Sequence, residues 1–150
     1  MIAVLQRVSK ASVSVDGEVV GKCEKGLAIL LGVADGDLDK DAEVLAEKIS
    51  KLRIFTDEND KMNLSLMDVD GEALVISNFT LLANYAHGNR PDYMSAAKPA
   101  EANRLYEYFC ELLSKKVKSL GKGIFGADMA VEISNDGPVT IVMDSKILVK

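Results

Sequence analysis

The chain has 150 residues, 48% of them hydrophobic, with only 3 prolines and a net charge of −5. That length fits one domain able to bury roughly 68–70% of its unfolded surface, and the composition excludes a disordered chain. The longest apolar run, LAILLGVA, falls far short of the roughly 20 residues of a membrane span. The charge argues against a protein that coats long nucleic acid such as DNA, but not against one that grips only the end of an RNA.

In chain order, IAVLQRV (2–8) is β-rich, and Arg7 breaks the apolar opening without a cleavage site after it, so a soluble cytoplasmic chain is expected. Ser12 to Val15 alternates polar and apolar, Asp16-Gly17 turns, and Glu18-Val19-Val20 returns, a hairpin pattern. LAILLGV (27–33) reads as a buried strand. From Asp39 to Arg53 the period changes: Ala42, Leu45, Ile49 and Leu52 fall at helical spacing, with Asp39 and Asp41 at the positive end of the dipole. TDENDKMN (56–63) is polar and turn-like, and ALVISNFTLL (73–82) reads as another buried strand. NYAHGNRPDYMSAAKP (84–99), with Gly88, Pro91 and Pro99, has no period and reads as a long surface loop of the kind that is often functional.

Pro99 suits the first turn of a helix. The stripe Leu105, Phe109, Leu112, Val117 follows it and ends near Gly121. Lys115, Lys116, Lys118 and Lys122 read as a solvated helix face. MAVEIS (129–134) and VTIVMDS (139–145) are strands on either side of Asn135-Asp136-Gly137-Pro138. Proline cannot donate to a ladder, so that stretch either turns a corner or presents a rigid, side-chain-poor piece of backbone. The order of strands and helices is not a strict βαβ alternation. The expected fold is α+β: a single domain over residues 1–150, with a mostly antiparallel sheet curled into a barrel-like core and two main helices outside.

Cys23 and Cys110 are far apart and His87 is the lone histidine, so no disulfide framework, metal site or Ser-His-Asp triad is indicated. No P-loop, dinucleotide fingerprint, zinc pattern or nucleophile elbow is present, and no cofactor is expected. Three segments stand out. Ser77, Asn78 and Thr80 interrupt an apolar strand, either as a polar strand end or as a terminus that offers hydroxyls and N–H groups to a substrate. Gly88-Asn89-Arg90-Pro91 is either a plain turn or a place where Arg90 meets a phosphate or carboxylate. The third is Asn135 to Pro138.

Together, Ser77-Asn78-Phe79-Thr80-Leu81, the Gly88 to Pro91 loop and Asn135-Asp136-Gly137-Pro138-Val139-Thr140 give a sequence that resembles the D-aminoacyl-tRNA deacylase family over nearly the whole chain. The family usually carries Gln where this chain has Asn78, and often Ser-Phe where it has Asp92-Tyr93. The resemblance implies a homodimeric carboxylic ester hydrolase of translation quality control, acting on the 3′ end of aminoacyl-tRNA. It implies cleavage of the ester that joins a D-amino acid to the terminal adenosine, and of glycine wrongly attached to tRNA for alanine. It further implies a cis Gly137-Pro138 unit that enters the partner subunit's site and rejects L substrates by steric exclusion, with Arg7 holding the motif through its carbonyls.

On that reading Ser77, Asn78, Phe79 and Thr80 form the catalytic stretch. The N–H groups of Phe79 and Thr80 serve as oxyanion donors, and the tRNA 2′-hydroxyl assists hydrolysis while Thr80 positions. Arg90, Phe125 and Met129 face the substrate, Phe125 either stacking on the terminal adenine or belonging to the core. Two rivals stand beside this reading. One is a sibling deacylase with a trans Gly-Pro; the other is a non-enzymatic dimeric module that binds an amino acid or an RNA end.

Overall fold

The computed structural model describes residues 1–149. The N-terminal run forms β1 (Ile2–Val15), which reverses at Asp16-Gly17 into β2 (Glu18–Cys23) and continues through a kink at Glu24-Lys25 into β3 (Gly26–Gly32). Both turn residues have positive φ, 51° and 81°, which aspartate tolerates and glycine adopts freely. β2 pairs antiparallel with the second half of β1 and β3 with its first half. Two hydrogen bonds pin the kink, from Glu24 N–H to Glu72 Oε1 (2.8 Å) and from Glu72 N–H to the Lys25 carbonyl (3.0 Å). Gly26 is required by space: a Cβ there would stand 1.7 Å from the Glu72 carbonyl oxygen.

The chain then crosses through α1 (Asp39–Lys51) and a short hairpin of β4 (Phe55–Thr56) and β5 (Met62–Leu64), within the stretch expected to be only a turn. It returns as β6 (Glu72–Ser77), parallel to β3, and after α2 (Pro99–Ser114) the short β7 (Leu120–Lys122) joins β6, also parallel. β7 comes round against β2, where a Cβ on Gly21 would lie 2.3 Å from the Lys122 carbonyl oxygen, so the sheet nearly closes into a barrel. The fold is α+β with two main helices. Its three pairings on β1 are antiparallel and the two on β6 are parallel, so the sheet is mostly antiparallel, as expected.

Two strand expectations change. The run 73–82 is strand only to Ser77; Phe79–Leu82 is a 3-10 turn, because Asn78 caps it. The two strands expected on either side of Asn135 to Pro138 are one strand, β8 (Ala130–Asp144), antiparallel to β1 from Ser14↔Ala130 to Ile2↔Asp144. The motif is a bulge and the chain does not reverse there.

The larger core fills the space between the sheet and the helices. Leu5, Leu27, Ile29, Leu31 and Val75 meet Leu45 and Ile49 of α1 and Leu105, Tyr106 and Phe109 of α2, all buried. Full burial of one such aliphatic side chain contributes about 1.5–3 kcal/mol. The other face holds a smaller cluster, Val8, Val13, Cys23, Ala28, Leu74 and Ile76. Among the described residues no helix is long and apolar enough to cross a membrane.

One end of the sheet is tied by charge. The Met1 ammonium lies 2.8 Å from Asp37 Oδ2 and donates to Ser145 Oγ at 2.7 Å. Ser145 donates to Asp41 Oδ1 (2.6 Å), and Lys146 Nζ reaches both carboxylates at 3.0 Å. Burial alone would raise the Asp41 carboxyl, but the Leu38 N–H, the Ser145 hydroxyl and the Lys146 ammonium outweigh it and hold it at about 2 instead of the ordinary 3.8. A carboxyl held low in the folded state stabilises it above the ordinary carboxylate range and loses that contribution as pH falls toward 2. Asp41→Asn is therefore expected to lower unfolding free energy at neutral pH by roughly 2 kcal/mol and to flatten the loss of stability on acidification below pH ~4. Urea titrations across that pH range measure both.

Candidate active site

β6 is apolar from Ala73 to Ile76 because both its faces are covered there, and its polar end coincides with the loss of that cover. Half-buried Ser77 pairs with Leu31, and the Asn78 N–H donates to the Leu31 carbonyl at 2.8 Å. Asn78 then leaves the strand (φ −149°, ψ 90°) and caps the 3-10 turn: its Oδ1 accepts from the Thr80 N–H (3.2 Å) and from the Thr80 hydroxyl. The Thr80 N–H, expected as an oxyanion donor, is thus engaged by Asn78. The Phe79 N–H has no protein acceptor among the described residues, and the residue is exposed.

The Thr80 hydroxyl spends its proton on an amide oxygen and meets neither carboxylate nor imidazole, so no base activates it as a nucleophile. Cys23 and Cys110 offer no alternative: both are buried, and burial pushes their thiols up to about 11 and about 12. Among the described residues no cluster of His, Cys, Asp and Glu could hold a metal ion.

After β7 the chain runs along β6, with the Gly123 N–H on the Val75 carbonyl (3.3 Å). This brings Phe125 and Met129 beside the end of β6, on opposite faces of the sheet. Phe125 is half-buried against the helix-side core, its ring 6.1 Å from that of Tyr106. Met129 packs with the smaller cluster, its sulfur over Gly123, where a Cβ would come within 2.4 Å. Arg90 is exposed in the loop after the 3-10 turn.

The bulge in β8 is held from beneath. β1 pairs Gln6 with Thr140 and Val8 with Asn135, so Asp136 to Val139 stand opposite Arg7 alone. The nearly buried Arg7 guanidinium donates from Nε to the Asp136 carbonyl (3.3 Å), pairs with the Asp136 carboxylate (3.1 Å), and donates from Nη1 to the Ile54 carbonyl (2.8 Å) and Thr56 Oγ1 (3.3 Å). Asn135 Nδ2 donates to the carbonyls of Arg7 and Val139, both at 3.0 Å, and so closes the base of the bulge. The Gly137-Pro138 peptide is cis and both residues are exposed. Gly137 has φ +126°, a region that favours glycine, and a Cβ there would lie 2.8 Å from Val139 Cγ2.

Register separates the two groups. Arg7, under the bulge, pairs with Leu27, while Ser77 pairs with Leu31. Four residues along β3 is about 13 Å, and β1 and β3 also stand between β8 and β6. A single chain therefore brings Ser77, Asn78, Phe79 and Thr80 together, with Phe125 and Met129 near the end of β6. It keeps Arg7, Gly137 and Pro138 as a second, separate group. Cavities of about 600 and 860 Å³ lie on the helix side and contain none of these residues. Sequence reasoning had no role for the side chain of Asn135. An amide with carbonyls to satisfy across a bulge was its available signal, but those carbonyls come into range only once β8 pairs with β1.

A family model described as D-Tyr-tRNA(Tyr) deacylase matches residues 4–144. A D-aminoacyl-tRNA deacylase from Sulfurihydrogenibium sp. is 60% identical over 97% of this chain and 99% of its own length. One from Caldicellulosiruptor saccharolyticus is 58% identical over 97% and 98%. Among solved structures, the c-Myc DNA Unwinding Element Binding Protein superposes with a TM-score of 0.91 at 41% identity, covering 96% of this chain and 98% of that one. A probable eukaryotic D-amino acid tRNA deacylase shares the fold, with a TM-score of 0.82 at 16% identity over 95% and 98%.

Arg7→Ala leaves the buried Ile54 carbonyl unpaired and the bulge without its charged partner. The expected cost in urea unfolding is roughly 2–3 kcal/mol, with Arg7→Lys recovering part of it.

Proposed function

The chain belongs to the D-Tyr-tRNA(Tyr) deacylase family, and on that premise we propose that it hydrolyses the ester joining a D-amino acid to the 3′-terminal adenosine of tRNA. The observation that carries the reading is the Asn78 to Thr80 turn, exposed at Phe79 and Thr80, with one backbone donor that has no protein acceptor among the described residues and a hydroxyl that no base activates. An aminoacyl ester needs little more. It is already activated, and the ribose 2′-hydroxyl lies beside its carbonyl. Orientation, a water and a donor for the developing oxyanion complete the site. The Phe79 N–H is that donor, and one such donor contributes roughly 3 kcal/mol to the transition state. Thr80 positions the substrate, and Phe125 and Met129 flank the adenosine.

Selection of the D form is assigned to Gly137 and Pro138 of a second copy. The two enantiomers carry the same atoms, so attraction sorts them poorly. A wall on the L side excludes that form, leaves room for D, and does not reject glycine, including glycine on tRNA for alanine. Main chain suits such a wall because no rotamer swings aside, and Arg7 and Asn135 brace it. The separation within one chain supports delivery of the wall by a partner. So does β8, whose outer edge pairs with no strand among the described residues and whose apolar residues are only half covered, Val131 and Ile133 against the smaller cluster and Val139, Ile141 and Met143 against the helix-side core. The substrate side is an RNA end in the cytoplasm. The lysine-rich stretch is not a free basic face, since Lys115, Lys116 and Lys122 pair with Glu111, Glu47 and Glu107.

The test is deacylation of D-tyrosyl-, L-tyrosyl- and glycyl-tRNA by the full chain. The first and third are expected to be hydrolysed and the L form spared. Comparable turnover of the L form overturns the wall, and no turnover of any favours a binding module. Thr80→Ala is expected to lower kcat by no more than about tenfold, whereas loss of a covalent nucleophile costs on the order of a million-fold. A substrate with hydrogen in place of the terminal 2′-hydroxyl is expected not to turn over; a near-normal rate would refute assistance by that group.

A further inference from the structure

The reaction described above makes no use of the most exposed apolar side chains near the turn. Tyr85 and Met94 are 80% and 85% exposed, and Phe79 is 58% exposed. Their support is nevertheless built. Asn84 and Asp92 exchange backbone hydrogen bonds at 2.8 and 2.9 Å, and their side chains accept from the Ala86 and Met94 N–H groups at 3.1 Å. Below this neck, the Asp35 N–H donates to the Ser95 carbonyl (2.8 Å) and the Ala97 N–H to the Val33 carbonyl (2.9 Å), which anchors the loop to the end of β3. Gly88, with φ +73°, lets the tip turn. The loop joins the candidate site through Tyr93, whose ring meets Phe79 edge-on at 5.0 Å and 78°.

Charge identifies the occupant. In a chain of net charge −5, the stretch from Ala83 to Lys98 carries Arg90 and Lys98 against Asp92 alone. Exposed aromatic and sulfur-bearing side chains on a rigid base, interleaved with cations and continuous with a site for a terminal nucleoside, are what a single strand needs: faces for bases and charge for phosphates.

We propose that Tyr85 and Met94 form a stacking platform for the unpaired nucleotides that precede the terminal adenosine of the tRNA. The proposal rests on the deacylase reading and adds to it where the RNA tail lies. Affinity for the nucleic acid comes from this loop, and chemistry from the Asn78 to Thr80 turn.

The experiment compares the full chain with a Tyr85→Ala, Met94→Ala double variant on D-tyrosyl-tRNA and on the minimal substrate D-tyrosyl-adenosine. KM for the tRNA is expected to rise about tenfold with kcat unchanged, while kcat/KM for the adenosine ester stays the same and Tyr85→Phe restores the tRNA KM. Fluorescence anisotropy with an uncharged oligoribonucleotide ending in CCA is expected to lose affinity by the same factor. An unchanged tRNA KM, an equal loss on both substrates, or a double variant that sediments as a smaller species than the parent overturns the platform; the last outcome would show a second copy of the chain covering the patch. If the parent hydrolyses neither ester, the deacylase reading fails, and the oligonucleotide measurement still decides the platform by itself.

Discussion

Strand β1 is hydrogen-bonded along both edges, to β2 and β3 on one side and to β8 on the other. The rest of the structure hangs on that double ladder. Side chains alternate along a strand, so a slip of one residue would turn Ala3 and Leu5 out of the helix-side core. The register that buries them also sets Arg7 under Asp136 and leaves four residues of β8 to bulge outward across from one of β1. The core determines the register, and the register determines where the exposed backbone of Gly137 and Pro138 stands.

Two cationic groups on this strand are buried, and each is heavily partnered. The Met1 ammonium joins the start of β1 to Asp37 and Ser145, and through them to the start of α1 and the end of β8. Arg7 joins the middle of β1 to β4 and to the bulge. Burying charge is expensive unless every partner is in place, so neither arrangement tolerates a nearby alternative. Hydrophobic contact holds the layers together without specifying a position to within an ångström. These polar groups specify position, and Arg7 lies where the chain presents the backbone of Gly137 and Pro138 to its surroundings.

The Ser77 to Thr80 stretch is built on the opposite plan. Ser77 and Asn78 are half-buried, Phe79 and Thr80 are exposed, and Asn78 spends its amide oxygen on the turn, leaving the Phe79 N–H without a protein acceptor among the described residues. A shelf of this kind does little chemistry alone. Under the proposed function it suits a substrate that brings its own activated ester and neighbouring hydroxyl, and whose recognition needs exclusion more than attraction. The braced bulge and the open turn stand far apart on one chain, and under the proposed function that separation divides selection from chemistry between two copies.

Composition and local pattern determined much of this. The Asp16-Gly17 hairpin, the buried runs of β3 and β6, the amphipathic α1 and the start of α2 at Pro99 were legible because each is decided by neighbours within a turn or two. So was the family, because its motifs are contiguous. The short pairings of β4, β5 and β7 were not legible, since strands of two or three residues carry no period. Nor was the capping role of Asn78, which ends a strand inside an apolar run. Above all, Asn135 to Pro138 reads locally as a turn, with the residue types of a hairpin. Only pairing with β1, well over a hundred residues away in sequence, decides that the strand runs straight through and that these residues bulge. A turn preference is a local free energy of about a kilocalorie per mole or less, and a ladder with half-buried apolar residues on either side of the motif outweighs it.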